Sequence, residues 1–480
     1  GLEKAERNVL PIINNLLENR EMALEDGRFL VAPKRFDDLI ARARRDGDGG
    51  NGGGDGASAL SSGRLIRVSP RFRVIAVGVP APPFPGNPLD PPLRSRFQAR
   101  HIERVPTGVL VHALRHEAPT ISAEKMTYLL SLYEAIWTLG DDRGSASGIE
   151  NRNMAYGSLC YPSEQSIVSA CRLLDAVPSI EVHDALARIF PYSPESGMLE
   201  GEAQAQVSDM FASTSASASS PATDSAPPTT TFLVQGAELS PHQPTTERGG
   251  IVLRFVSQAT GDTAFVTVSC GGKFAPLLPP ANLLLPHQNV VLSGMLQSAA
   301  ASGRDLCLVG GRGEGKSFVA RWFASALGYA QVETLFLFED MTARDLFNRR
   351  STNALGESIW LPTPLFNAIK RGRLCVLDGL HRLSAGTISA LVSLLQDREV
   401  SLNDGTRFIS TQRWEYLTQS RGIAPKELAA RQVHVVHPGF RVVGLAVPRE
   451  RRARRWLSNE VMQLFHFFVM PLAAASMTFA

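Results

Sequence analysis

Residues 306–317, Leu306-Cys307-Leu308-Val309-Gly310-Gly311-Arg312-Gly313-Glu314-Gly315-Lys316-Ser317, join an apolar run to a glycine-rich turn that ends in a lysine and a hydroxyl. Gly310, Gly315, Lys316 and Ser317 satisfy the spacing G-x-x-x-x-G-K-[ST]. That spacing turns successive backbone N–H groups, those of Gly311, Arg312, Gly313 and Glu314 among them, towards one anion at a helix N-terminus. Lys316 is expected to reach the β- and γ-phosphates of a nucleotide, and Ser317 to ligate Mg²⁺. The segment Phe318-Val319-Ala320-Arg321-Trp322-Phe323-Ala324 supplies the amphipathic helix that must follow.

The same chemistry needs an acid at the end of another strand. Arg373-Leu374-Cys375-Val376-Leu377-Asp378 is an apolar run ending in a carboxylate, so Asp378 is expected to hold the Mg²⁺ as a Walker B aspartate does. A water-polarising glutamate usually comes next, and here Gly379 stands instead. The sequence therefore supports binding of ATP with Mg²⁺ more firmly than hydrolysis. A glutamate placed at position 379 is expected to restore turnover, with Glu339 as the other candidate base.

The elements that position these groups recur along the chain. Gly1-Leu2, Leu16-Leu17, Arg20-Glu21, Leu24 and Asp26-Gly27 reappear at the same spacing as Gly379-Leu380, Leu394-Leu395, Arg398-Glu399, Leu402 and Asp404-Gly405. Phe72-Arg73-Val74-Ile75 with Pro80 matches Phe440-Arg441-Val442-Val443 with Pro448. A repeat of this length duplicates whole domains rather than solenoid units. In that register Gly1 falls just after the first copy's own acidic strand, so the first phosphate loop is expected upstream of a fragment. Residues 72–79 carry a buried-strand pattern.

The chain has 480 residues, a net charge of +3 and a charged fraction of 20%, room for two to four domains and no coat of positive charge for nucleic acid. The five cysteines, Cys160, Cys171, Cys270, Cys307 and Cys375, form no C-x-x-C pair, which argues against a zinc site or a disulfide framework. The division expected is 1–120, the C-terminal part of a first core; 121–200, a helical lid; 201–250, a flexible linker; 251–275, a short β-hairpin; and 280–480, a second core. Met126, Leu129, Leu130, Leu132, Tyr133 and Ile136 share a helical face of the lid. The glycine-dense residues 46–56 and the Ser/Thr/Ala/Pro-rich residues 213–231 cannot support regular elements. The basic run Arg449-Glu450-Arg451-Arg452-Ala453-Arg454-Arg455 lacks an aromatic platform and is read as a solvated face, with no nucleic-acid partner. Residues 461–480 are apolar but carry Gln463, His466 and Pro471, so a helix packed on the second core is expected rather than a membrane span.

Residues 310–317, the phrase Glu339-Asp340-Met341-Thr342-Ala343-Arg344-Asp345-Leu346 and the strand end Leu377-Asp378-Gly379-Leu380-His381-Arg382 resemble a dynein/midasin/MoxR-type AAA+ ATPase. The resemblance implies an α/β fold of P-loop AAA+ modules, each a parallel sheet flanked by helices, with an all-helical lid. It implies ATP and Mg²⁺ as ligands, self-association into a ring or with further modules, and a mitochondrial address. Arg96, in Leu93-Arg94-Ser95-Arg96, stands where a ring ATPase offers an arginine to its neighbour's γ-phosphate. Against the wider family, Val79 and Val447 occupy the place of a polar sensor residue, and Arg172 is the nearest substitute for a lid sensor arginine. Two classes follow: an ATPase of a ring or tandem assembly, or a non-hydrolysing nucleotide-binding scaffold.

Overall fold

The structure, a computed structural model, describes residues 2–5, 10–47, 64–79, 86–146, 162–178, 180–190, 232–239, 250–258, 261–269, 274–280, 282–353, 356–402, 404–448, 457 and 459–470, with positions 205 and 209. The glycine-dense stretch from 48, residues 213–231, the basic run and residues 471–480 lie outside these. The chain divides into two units, Gly1–Val105 with Gly140–Ser158, and Pro106–Leu139 with Leu159–Ala480.

In the first unit β1 (Met22–Ala23) pairs antiparallel with β2 (Phe29–Val31), which pairs in parallel with β3 (Leu65–Arg67). The second unit builds the same sheet from β12 (Val400–Ser401), β13 (Arg407–Ile409) and β14 (Val433–Val435). The match extends to register, since Met22 faces Leu30 as Val400 faces Phe408. Arg20 and Arg398 share a left-handed backbone, at φ 61° and 56°, and each guanidinium lies 5.4 Å from a ring, Phe72 or Phe440. Glu21 pairs with Arg35 at 2.9 Å, and Glu399 with Arg413 at 2.6 Å. The duplication is thus structural as well as sequential.

The two copies diverge at the next strand. Residues 72–79 are not a strand, and Ile75 is 90% exposed. Their counterpart β15 (Arg441–Ala446) is buried throughout, because β7 (Asp305–Val309) and β11 (Leu374–Asp378) flank it. The apolar pattern is shared; among the described residues, the flanking strands that would bury it are found only in the second unit.

The second unit carries a five-stranded, wholly parallel sheet in the order β16-β7-β15-β11-β8, with β8 at Val332–Phe336 and β16 at Phe465–Val469. The expected C-terminal helix is therefore corrected. After a short turn of helix at Asn459–Met462 the chain becomes a sheet strand. A short apolar run fits either element by period, and Phe465, Phe467, Phe468 and Val469 favour the strand. Among the described residues no helix is long and apolar enough to cross a membrane.

Apolar clusters cover both faces of this sheet. One is built on α7 (Pro364–Arg371) and α8 (Ala385–Gln396), N-capped by the Thr363 and Ser384 hydroxyls. The other is built on α5 (Pro286–Ala301) and α6 (Lys316–Ala326), and an antiparallel sheet packs on it. That sheet has three strands rather than the two of a hairpin: β4 (Phe232–Leu239), β5 (Gly250–Ser257) and β6 (Thr263–Ser269). β4 falls inside the span expected to be linker, its alternating Phe232, Val234 pattern masked by the polar composition around it. The hairpin of β9 (Asn348–Thr352) and β10 (Ser358–Pro362) precedes α7.

The segment 107–189 is helical, as α1 (Thr107–Glu117), α2 (Ala123–Ala146), α3 (Glu164–Ala176) and α4 (Val182–Ile189). The expected face of α2 is buried, from Met126 through Ile136. In this segment α3 packs against α5, and α4 against β16. Arg188 on α4, half-buried, donates to Gln297 Oε1 at 2.9 Å and to Ser298 Oγ at 3.3 Å. Burial depresses its pKa to about 10.

Candidate functional site

All five strands of the parallel sheet point the same way, so the C-terminal ends of β7, β15 and β11 lie together at one edge. Backbone bonds knit that edge: Gly310 N–H donates to Ala446 O at 3.1 Å, Gly379 N–H to Leu445 O at 3.0 Å, and Leu337 N–H to Asp378 O at 2.8 Å. In open α/β sheets this is where ligands sit. The sheet is anchored at its other end by the buried Asp305, which accepts from Arg398 at 2.7 Å and from Val442 N–H at 2.8 Å.

The glycine loop runs from the end of β7 into α6. Gly315, the residue before α6, has φ 88°, and a Cβ there would stand 2.6 Å from Gln288 Nε2. A Cβ on Gly310 would meet Met470 at 2.8 Å. Both positions therefore need glycine, one for its backbone and both for close approach. Gln288, buried in the first turn of α5, braces the loop from below. Its Nε2 donates to Glu314 O and its Oε1 accepts from Leu285 N–H, each at 3.3 Å.

Lys316 Nζ donates to the Gly310 and Gly311 carbonyls at 2.7 and 2.6 Å. Its pKa is lowered by burial, against which Glu314 and Asp378 act. The Glu314 carboxylate accepts the Gly311 N–H at 2.6 Å, so an internal anion already lies on the nest. Arg312 and Ser317 are exposed, and Asp378 is half-buried. The donor set suits a polyphosphate: glycine N–H groups at a helix N-terminus, a half-buried ammonium, and a hydroxyl and a carboxylate suited to Mg²⁺.

Gly379 has φ 92°, and a Cβ there would meet Leu337 O at 3.1 Å. The expectation that a glutamate at 379 restores turnover is therefore revised, since an L side chain is strained in this backbone whatever its chemistry. Glu339 is exposed. His381, three residues beyond Asp378, accepts the Val447 N–H on Nδ1 at 3.3 Å. Its pKa is lowered by burial, then by Arg382 and Lys316.

Two sequence candidates are engaged with partners of their own. Arg96, in the first unit, binds the Glu18 carboxylate and the Pro92 carbonyl. Arg172 on α3 pairs with Glu117 on α1 at 2.5 Å. Sequence reading missed Gln288, Glu314 as a nest occupant, and Arg188.

The family model for the AAA domain (dynein-related subfamily) matches residues 1–97 and 305–465, one segment in each copy of the duplication. Mouse von Willebrand factor A domain-containing protein 8 is 35% identical over 98% of this chain, which spans 23% of that protein. Protein NorQ of Paracoccus denitrificans is 30% identical over 26% of this chain and 45% of its own length. Among solved structures, NtrX from Brucella abortus in complex with ATP is similar at 16% identity and a TM-score of 0.26, covering 40% of this chain and 37% of that one.

Proposed function

The chain belongs to the dynein-related subfamily of AAA domains, and we propose that its second copy binds ATP with Mg²⁺ and works as an ATPase within a ring or tandem assembly. The observation that supports this reading is the convergence of Lys316, Asp378 and the glycine N–H groups at one edge of the parallel sheet. Residues 310–315 cradle the phosphates, Lys316 leaves its two carbonyls to meet them, and Ser317 with Asp378 would hold Mg²⁺. The bound cation would neutralise phosphate charge. Arg96 is proposed to serve a neighbouring module's nucleotide, for which it must release Glu18. The domain division proposed is 1–120 as the C-terminal part of a first core, 121–200 as lid and 280–480 as second core, with the three-stranded sheet of β4, β5 and β6 between lid and second core in the chain. A mitochondrial address is proposed on the resemblance alone.

Gly379 favours a second reading, a scaffold that binds ATP without hydrolysing it, because no carboxylate follows Asp378. Phosphate release by the purified chain, beside its Lys316→Ala variant, separates the two. Release that the variant loses supports the enzyme. Saturable ATP binding without release supports the scaffold, and release unchanged in Lys316→Ala removes the site from both.

A further inference from the structure

The sensor strand β15 ends at Ala446, and the residue after it is Val447, whose side chain offers a nucleotide no polar group. Its backbone N–H is held by His381 Nδ1 at 3.3 Å. A backbone N–H can only donate, so Nδ1 is an acceptor and the neutral ring carries its proton on Nε2. The lowered pKa keeps the ring neutral near pH 7, so that tautomer persists. Gly310 N–H donates to Ala446 O at 3.1 Å, so the Val447 N–H that the ring holds stands one residue from the start of the phosphate loop.

The first copy supplies an internal comparison. There Glu3 occupies the position of His381, and its carboxylate accepts the Val79 N–H at 3.2 Å. Val79 and Val447 are themselves matched positions of the duplication. Both copies therefore use this side chain to tie down the end of the sensor segment. A carboxylate is spent as an acceptor, whereas the imidazole retains one donor across the ring from the tie.

We infer that His381 senses the terminal phosphate of ATP in the second copy, its Nε2–H donating to the γ-phosphate in place of the polar side chain absent at Val447. This rests on the nucleotide-binding reading above. The loop and α6 N-terminus account for the β-phosphate, which ATP and ADP share. β15 lies directly beside β7, so a donor tied to its end is placed for the phosphate beyond. His381 thereby discriminates triphosphate from diphosphate rather than adding affinity for both.

The test is the affinity of the purified 480-residue chain for ATPγS and for ADP, each with Mg²⁺. A hydrogen bond to a charged acceptor corresponds to a change of about tenfold or more. His381→Ala is expected to weaken ATPγS about tenfold and to leave ADP within about twofold. His381→Gln, whose amide both accepts and donates, is expected to restore most of the ATPγS preference, and it decides the matter if the alanine variant fails to fold. Equal losses for both nucleotides, no loss for either, or a glutamine variant as poor as alanine overturns the inference. A wild-type chain that binds neither nucleotide overturns the site assignment itself. Wild-type binding with an unchanged ATPγS/ADP ratio in the variants overturns only the role of His381.

Discussion

His466 lies on β16, fully buried, with both ring nitrogens lacking a hydrogen-bond partner among the described residues. Burial, reinforced by Arg304 and Arg188 nearby, lowers its pKa to about 3 from an ordinary 6.5. The unfolded chain takes up the proton near pH 6.5 and the folded chain only near pH 3. Between those values the unfolded state binds more protons, so stability is lost as pH falls below 6.5. The loss approaches about 1.4 kcal/mol per pH unit, which gives about 2 kcal/mol between pH 8 and pH 5. Asp26, Asp37 and Glu117 have pKa values below the ordinary carboxylate range, so their own contributions are lost at lower pH. Urea denaturation at pH 8 and pH 5 isolates the histidine when wild type is compared with His466→Leu. The variant is expected to lose about 2 kcal/mol less on acidification. It should also be about 1 kcal/mol more stable at pH 8, having shed two unsatisfied buried nitrogens. Identical pH dependence in the two proteins would refute the reasoning.

Two further outcomes follow from the site and its anchor. Arg398→Ala strands the buried Asp305 carboxylate and is expected to cost about 3 kcal/mol in urea denaturation, whereas Arg20→Ala in the first copy, where the cation faces Phe72, should cost under about 1 kcal/mol. Glu314→Gln removes the negative charge lying on the nest and should tighten ATP binding roughly threefold by calorimetry.

The phosphate loop and Asp378 were legible because each is a contiguous pattern whose spacing is itself the mechanism. The duplication was legible for a similar reason: Arg20 and Arg398 carry an unusual backbone that demands the same neighbours twice. Residues 461–470 were misread because an apolar run of strand length has no period that separates helix from strand. Residues 72–79 carry the pattern of β15 but stand exposed, since burial depends on flanking strands that local sequence does not encode. Gln288, Glu314 and Arg188 act through tertiary neighbours far along the chain or across a turn. The strain at Gly379 is likewise a property of φ, invisible until the backbone is placed.

Titration of ATP with Mg²⁺ into the purified chain and its Lys316→Ala variant bears on the nucleotide site with the fewest intervening steps. The account predicts one saturable site in wild type, weakened at least about tenfold in the variant, because the phosphates lose their charge-assisted donor. Unchanged affinity in Lys316→Ala would contradict it.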